Sequence, residues 1–207
     1  MVVGMPRADA ERNRKALIDA ARRVFERDGY VAARITDIAE AAGVAHGSFY
    51  SHFPGKEEIF AAVLAEVSEE MLHPGPDIGP AIETARADDP VATIAAANLA
   101  YLRAYQRNAR LMALLEQVAA VDESFRRIRL QRTEAFLARN ARAIRRLQQA
   151  GLADPALDPD LAALALSTMV SRSAYAAFAL GATRPVDAAE LAETLTQLWV
   201  SGLRLPR

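Results

Sequence analysis

Hydrophobic residues recur at helical spacing along most of this 207-residue chain. Over residues 12–27 they include Leu17, Val24 and Phe25, which lie on one side of a helix that Gly29 is placed to end. No segment alternates polar and apolar residues over the length of a strand. The pattern predicts an all-α protein of about nine helices.

Aspartates that can accept hydrogen bonds from the first N–H groups of a helix precede four of the later periodic segments. Two of them are followed by proline, whose fixed φ suits the first helical position. Residues 73–80 contain three prolines and two glycines, which predicts a break between helices. The predicted capping residues are Asp89, Asp122, Asp158 and Asp187.

The segment TDIAEAAGVAHGSFYSHF, residues 36–53, predicts two short helices joined by a tight turn. Gly43 can adopt the positive φ that this turn needs, Ala39 is small enough to lie where the helices cross, and Phe49 can anchor the second helix to the core. This arrangement is typical of a helix-turn-helix, whose second helix enters the major groove of double-stranded DNA.

The outer side of the second helix carries small and polar residues, as a groove-facing helix requires. Ala45 to Ser48 stand at its start, where His46 and Ser48 can form hydrogen bonds with base edges and Gly47 permits a close backbone approach. Tyr50, Ser51 and His52 follow, and we expect Tyr50 and His52 to meet the sugar-phosphate chain. The alternatives are a half-buried core aromatic for Tyr50 and a capped surface histidine for His52.

Two longer strings carry a family resemblance. GSFYSHFPGKEEIFAAVL and the preceding RKALIDAARRVFERDGY are similar to the signature and first helix of TetR-type transcriptional regulators, over about residues 11 to 70. The resemblance implies an N-terminal DNA-binding domain followed by a helical domain that binds a small-molecule effector and dimerises. It also implies that Tyr50, His52 and Lys56 contact phosphates.

One position departs from that family pattern. Where the family usually has Ser or Thr to cap the first helix of the motif, this chain has Arg34, which offers no acceptor for the helix N–H groups. Either the helix begins later and Thr36 caps it, or water or a DNA phosphate satisfies its first amides. Arg34 either reaches that phosphate itself or is a solvated surface residue. The predicted DNA-contacting residues are Arg34, Thr36, Ala45, His46, Gly47, Ser48, Tyr50, Ser51, His52 and Lys56.

Charge and composition are compatible with this interpretation. The net charge is −1, but residues 1–56 carry nine Lys and Arg against seven Asp and Glu, and Arg7, Arg12, Arg14 and Lys15 form a basic cluster that either contacts phosphates or is simply solvated. Cysteine is absent, which excludes disulfides, thiolate metal sites and cysteine nucleophiles.

The same features indicate where the protein acts. The N-terminus lacks the pattern of a signal peptide, and we expect charges to interrupt every apolar stretch before it reaches about 18 residues. We therefore expect a cytoplasmic protein with no membrane contact. The histidines and carboxylates show no metal-binding or catalytic spacing, so we expect no enzyme activity and no cofactor.

Polar side chains on otherwise apolar stripes mark a candidate effector pocket. Asn98 interrupts the inward series of apolar residues in 91–105. Arg132 and Arg139 interrupt the series in 122–149, and Arg172 interrupts the series in 161–179. A buried arginine needs a carboxylate partner or an anionic ligand. Partners such as Glu116 or Glu134, or surface exposure, remain the alternative for each arginine. The predicted pocket residues are Asn98, Tyr101, Tyr105, Arg132, Phe136, Arg172 and Tyr175.

The last two predicted helices bear on assembly. Residues 161–181 are apolar on more than one face, so we expect them to form a homodimer interface with residues 188–204; the alternative is a central helix within one subunit. The sequence therefore predicts a DNA-binding domain over 1–56 and a ligand-binding and dimerisation domain over 57–207. The expected function is that of a ligand-responsive regulator, a repressor of a palindromic operator. The alternative is a small-molecule carrier or enzyme whose helix-turn-helix has lost its DNA role.

Overall fold

A computed structural model of the protein describes residues 7–72, 89–181 and 185–206. Within these ranges the chain forms nine α-helices and no strand, as predicted. The predicted break at residues 73–80 lies outside them. The helices are α1 (Arg7–Ala32), α2 (Ile35–Ala42), α3 (His46–Phe49), α4 (Lys56–Leu72), α5 (Pro90–Arg107), α6 (Ala109–Ala119), α7 (Glu123–Gln149), α8 (Pro159–Ala174, continued by a π-helix over Tyr175–Ala179) and α9 (Ala188–Leu203).

All four predicted capping aspartates begin a helix. Each accepts a hydrogen bond from a backbone N–H in the first turn of α5, α7, α8 or α9, and a cap of this kind is worth about 1 kcal/mol. The bonds run from Ala92 to Asp89 (2.8 Å), from Ser124 to Asp122 (2.8 Å), from Leu161 to Asp158 (2.9 Å) and from Ala189 to Asp187 (2.8 Å).

The bounds of two N-terminal helices differ from the prediction. Helix α1 begins at Arg7 rather than Arg12, and although Gly29 interrupts it with φ 78°, one more turn continues to Ala32. The regular part of α3 ends at Phe49, and the backbone then continues as a turn in which the N–H of His52 donates to the carbonyl of Phe49 at 2.9 Å.

An aromatic cluster joins the N-terminal helices to the larger helical bundle. The ring of Phe60 on α4 lies 4.7 Å from that of Phe25 on α1 and 5.3 Å from that of Phe125 on α7. Tyr30 also packs against Phe125, at 5.6 Å. The two halves therefore share one hydrophobic core, and a domain boundary at residue 56 stays a prediction.

Helix α8 presents a different face to the core than predicted. Its buried side chains are Ala163, Val170 and Ala174. Because this helix is apolar all round, the spacing of its apolar residues did not distinguish its two faces. Four residues of the predicted inward series are exposed instead: Leu161, Ala165, Thr168 and Arg172.

Candidate DNA-binding surface and effector cavity

The turn between α2 and α3 has the predicted geometry. Gly43 adopts φ 68°, and its N–H donates to the carbonyl of Glu40 at 3.0 Å, which closes the end of α2. Ile38, Ala39 and Phe49 are buried, so they fix the angle between the two helices. The opposite side of α3 is therefore held outward on a rigid base.

Most of the predicted DNA-contacting residues belong to α3 and the turns on either side of it, and the others lie at the starts of α2 and α4. Tyr50 is 52% exposed, and the ring of His46 meets it edge to face at 5.4 Å, which orients both groups toward solvent. The exposed members of the set are Arg34, Thr36, Ala45, His46, Gly47, Tyr50 and Ser51, and the half-buried ones are Ser48, His52 and Lys56. Their contact with DNA stays a prediction.

Arg34 is the N-cap residue of α2, with φ −114° and ψ 146°, and no side chain caps the helix. The alternative in which the helix begins later behind Thr36 is therefore wrong: Thr36 lies inside the first turn, and its hydroxyl donates to Asp37 at 3.2 Å. Because no side chain in the described part of the chain accepts a hydrogen bond from the first amides of α2, they are open to an oxygen of water or phosphate.

Lys56 is engaged within the protein. Its ammonium donates to the backbone carbonyls of Tyr30, Val31 and Ala33 at 2.9, 3.2 and 3.1 Å. The same ammonium lies 4.8 Å from the centre of the Tyr30 ring. An ammonium has three N–H donors, so a phosphate contact would need to displace one of these carbonyls. The predicted phosphate contact of Lys56 stays untested, but the structure also gives this residue a role in holding α4 to the end of α1.

The basic cluster at the start of α1 is largely paired with carboxylates. Arg12 lies 2.7 Å from Asp9, and Lys15 lies 2.5 Å from Asp19 on the same helix. Arg14 instead stacks over the ring of Phe53 at 5.0 Å. Internal pairing lowers the positive potential that this cluster can offer to phosphates.

A cavity of about 450 Å³ lies between α5, α7, α8 and α9. Aromatic rings form much of its wall, with Tyr101 5.9 Å from Tyr105 and 5.4 Å from Phe136. Volume and lining are those of a site for a small organic molecule. All seven predicted pocket residues line it: Asn98, Tyr101, Tyr105, Arg132, Phe136, Arg172 and Tyr175. Their binding role stays a prediction.

Some polar groups in the cavity wall have hydrogen-bond partners within the described protein and others have none. Asn98 donates to Thr196 of α9 at 3.1 Å, so α5 and α9 already use this amide. The buried indole N–H of Trp199 has no acceptor among the described residues. Burial raises the pKa of Tyr101 and Tyr105. Their hydroxyls are therefore neutral hydrogen-bonding groups at physiological pH. Sequence reasoning missed Thr196 and Trp199, which were assigned only to the assembly helix.

The arginines of the cavity have different environments. Arg132 and Arg139 of α7 are half-buried, as their stripe predicted, and burial lowers the pKa of Arg139. Glu116 pairs with Arg129, at 3.2 Å. Arg172 is exposed and stacks over the Tyr175 ring at 4.9 Å, so its predicted burial is wrong. Arg139 was recognised on the stripe but left out of the predicted pocket, although it lines the cavity.

A buried polar network joins α1 and α4 to the junction of α5 and α6. Asn108 has no exposed surface; it accepts a hydrogen bond from Arg22 and donates to Glu70 at 3.0 Å. Arg107 donates to the other oxygen of Glu70 at 2.6 Å. The sequence offered only a weak signal, a single asparagine between two helical segments. The network ties the last turns of α4 to both halves of the protein.

Glu70 should make the free energy of unfolding depend on pH in the acid range. Burial alone would raise the pKa of its carboxyl, but hydrogen bonds from Asn108 and Arg107 and the charges of Arg107 and Arg22 outweigh it and hold the pKa below its ordinary value. A lowered folded-state pKa stabilises the protein above the unfolded pKa, and the contribution is lost as pH falls through the folded value. We expect Glu70→Gln to reduce the fall in melting temperature between about pH 5.5 and 3.5. Thermal melts of wild type, this variant and the exposed-site control Glu134→Gln measure it; equal pH dependence in all three would contradict the assignment.

A second surface is apolar and uncovered. Leu161, Leu164 and Leu198 are 67%, 46% and 48% exposed on α8 and α9. By length and composition alone, the helical stretch Pro159–Ala179 is apolar enough to cross a membrane. Only 17% of its most apolar 18-residue segment is buried. Asp160 and Arg172 interrupt this stretch, as expected, but they are too few to offset the surrounding apolar residues.

No cluster of three or more potential metal ligands occurs among the described residues.

Comparison with known proteins finds sequence similarity at the helix-turn-helix. Residues 17–63 match the family described as bacterial regulatory proteins, tetR family. The HTH-type transcriptional regulator SrpR of Pseudomonas putida is 44% identical over 73 residues, which are 35% of this chain and 34% of that protein. The HTH-type transcriptional regulator TtgR, also of Pseudomonas putida, is 36% identical over 72 residues, again 35% of this chain and 34% of that protein.

The chain thus spans about a third of the length of these relatives. Solved structures resemble it in fold over most of its length. A protein from Mesorhizobium loti MAFF303099, described as a TetR-family transcriptional regulator, superposes with a TM-score of 0.77 at 21% identity, over 93% of this chain and 96% of that one. One from Rhodococcus sp. gives 0.74 at 19% identity, over 93% and 99%. Residues 17–63 thus form a helix-turn-helix domain of the tetR family of bacterial regulatory proteins, and the described residues have the fold of TetR-family structures.

Proposed function

We propose that the protein is a ligand-responsive transcriptional regulator that binds a palindromic operator as a homodimer and represses transcription. One observation carries the proposal: helix α4 follows α3 in the chain after one short connection, and its last turn contacts two arginines of the cavity wall. A single rigid helix thus connects a surface suited to DNA with a site suited to a small molecule.

The DNA surface divides into two kinds of contact. The start of α3, with Ala45, His46, Gly47 and Ser48, reads base edges, since the first residues of a recognition helix reach deepest into the groove. The remaining predicted residues position the protein on the sugar-phosphate chain without reading sequence. These are Arg34, Thr36, Tyr50, Ser51 and His52. Lys56 would join them only by exchanging a carbonyl for a phosphate, and we expect its ammonium to keep its three carbonyls.

Two copies of the chain bind together through α8 and α9. Leucines of both helices are exposed on the described surface, and a self-complementary apolar patch is what a two-fold interface requires. A dimer also presents two copies of α3, which suits an operator with two half-sites about one helical turn of DNA, or a multiple of it, apart. We place this dimer in the cytoplasm, away from membranes, because its partner is DNA.

Ligand control follows from differential affinity. An effector in the cavity changes DNA binding only if it binds one position of α4 better than another. A tilt of α4 would change the spacing of the two α3 helices and break register with a fixed site. The cavity residues proposed to hold the effector are Asn98, Tyr101, Tyr105, Arg132, Phe136, Arg172 and Tyr175.

Selection from random double-stranded DNA tests the proposal directly. Enrichment of a sequence with two inverted half-sites supports a palindrome-binding dimer. Failure to enrich any sequence, together with ligand binding in the cavity, would favour the alternative of a carrier or enzyme whose helix-turn-helix has lost its DNA role. Transcription assays with the enriched site upstream of a reporter then separate repression from activation.

The two histidines of this surface offer a matched pair of variants. We expect His46→Ala to change the preferred base at one position of each half-site, at a cost of about 1–3 kcal/mol for the original sequence. His52→Ala should weaken binding to all sequences alike. Mobility shifts at fixed salt on the selected site and its single-base variants measure both. A uniform loss in His46→Ala, or a changed preference in His52→Ala, would contradict the division of contacts.

A further inference from the structure

Two arginines of the cavity hold the last turn of α4. Arg132 Nη1 lies 3.8 Å from the sulfur of Met71, and Arg139 Nη1 donates to the carbonyl of Leu72 at 3.2 Å. The arginines are seven residues apart on α7, two helical turns, so they project from one face. Phe136 stands between them on the same face, and all three side chains line the cavity.

These cations lack a strong internal counter-charge. No carboxylate among the described residues forms an ion pair with Arg132 or Arg139, and the acidic residue of the cavity wall, Glu116, is paired with Arg129. The Nε of Arg132 is buried without an acceptor. Arg139 stacks on the Phe136 ring at 5.0 Å. Among the described residues the acceptors of these two groups are neutral: the Met71 thioether and the Tyr101 hydroxyl for Arg132, and the Leu72 carbonyl for Arg139. Both guanidinium groups therefore keep unused hydrogen-bonding capacity.

The contacts that α4 receives are weaker than those an anion would give. A thioether sulfur is a poor acceptor, and a neutral carbonyl lacks the negative charge and the second oxygen with which a carboxylate binds a guanidinium. The cavity is otherwise walled by aromatic rings, so it accommodates an apolar body behind a single charged group. A planar carboxylate also matches the fork of a guanidinium better than a bulkier dianion does in an apolar site.

We propose that the effector is an apolar monocarboxylate whose carboxylate binds Arg132 and Arg139 and thereby draws them away from Met71 and Leu72. This inference rests on the proposed function and names the ligand class and the coupling within the same site. Loss of the Arg139 bond leaves the last carbonyl of α4 without its donor, because helix C-termini have no intrahelical partners for their final carbonyls. The ligand therefore binds the released position of α4 better than the held one, which is the differential affinity that control of DNA binding requires.

The single tryptophan of the chain, Trp199, lines the cavity and reports its occupancy without DNA. Fluorescence titrations with 2-naphthoate, 4-phenylbutyrate and decanoate, each against its neutral amide, measure the preference for a carboxylate. We expect the carboxylates to bind about 10–100-fold more tightly than the amides, as charge-assisted hydrogen bonds to two guanidinium groups imply. Saturation by none of the three carboxylates, or tighter binding of inorganic phosphate at equal ionic strength, would overturn the ligand class.

Variants test the two arginines and the release of α4. Arg132→Met and Arg139→Met should each remove most of the carboxylate preference while amide affinity changes less than about twofold. Arg142→Met, an exposed arginine of the same helix, is the matched control. Arg139→Lys keeps the charge and should retain part of the preference, which guards against a variant that fails to fold. A preference kept in both Met variants would overturn the assignment.

Hydrogen exchange of the last turn of α4 completes the test. We expect faster exchange at residues 69–72 on adding a carboxylate to wild type, and equally fast exchange in ligand-free Arg139→Met. Unchanged exchange in both would overturn the coupling. Carboxylate binding and faster exchange in a protein that selects no DNA would uphold the inference while refuting the proposed function, so the two failures are distinguishable.

Discussion

Leu164→Arg is expected to convert the protein from dimer to monomer at micromolar concentration and to weaken binding to a two-half-site operator at least about 100-fold. Leu164 is 46% exposed on α8, beside Leu161 at 67%, on the uncovered apolar face of that helix. In a two-fold interface each substitution occurs twice, so two charges would lose water at once. Burying an unpaired charge costs about 3–5 kcal/mol, and about 1.4 kcal/mol is a factor of ten in affinity.

The loss of DNA binding follows from the loss of the dimer. A monomer binds one half-site, and linking two half-site contacts raises the apparent affinity by about 10²–10⁴ without any new contact. The helix-turn-helix is untouched by the substitution, so a single half-site should bind the variant as well as it binds the wild-type chain.

Leu130→Arg is the matched control, because Leu130 is 47% exposed on α7 and outside the α8–α9 face. Sedimentation of wild type and both variants, with mobility shifts on full and half operators, gives the measurement. A monomeric wild type, or a Leu164→Arg dimer of unchanged affinity, would contradict the interface. Flotation of the wild type with lipid vesicles would instead show that a bilayer covers this face.

Local chemistry made the helix-turn-helix and the helix starts predictable. Gly43, Ala39 and Phe49 act within one short segment, so their spacing determines the turn directly. A capping aspartate likewise bonds to a residue two or three positions away. The stripe of α7 was predictable because that helix has one apolar face and many charged residues on the other, which defines the inward side.

Contacts between distant segments were not predictable in this way. Lys56 meets carbonyls 23 to 26 residues earlier, and Arg139 meets one 67 residues earlier, so neither partner is visible in the local pattern. The inward face of helix α8 was mispredicted for a different reason, because its buried and exposed faces are both apolar. Most residues expected to point inward are exposed, although Arg172 and Tyr175 line the cavity. The exposure of Arg172 has the same cause.

Lys56→Met is expected to lower the free energy of unfolding by about 2–4 kcal/mol and the melting temperature by about 4–15 °C. The substitution keeps an apolar chain of similar length but removes three charge-assisted bonds, to the carbonyls of Tyr30, Val31 and Ala33. The carbonyls of Tyr30 and Val31 lie in the last turn of α1, where helix carbonyls need outside donors, and that of Ala33 directly follows the helix. Calorimetry at one fixed protein concentration measures the change, because the melting of a dimer depends on concentration.

Lys15→Met is the matched control, since Lys15 is the other lysine of the chain and its side chain is 59% exposed beside Asp19 and Glu66. An exposed ion pair is worth at most about 1 kcal/mol, so this variant should melt close to wild type. DNA binding well below the melting temperature then separates the two roles of Lys56. A side chain that contacts a phosphate contributes about 0.9 to the slope of log affinity against log salt. Because the three carbonyls already occupy the ammonium, we expect Lys56→Met to leave that slope unchanged. A slope lowered by about two, from both copies of Lys56 in the dimer, with a melting temperature near wild type, would establish the phosphate contact and contradict the structural role.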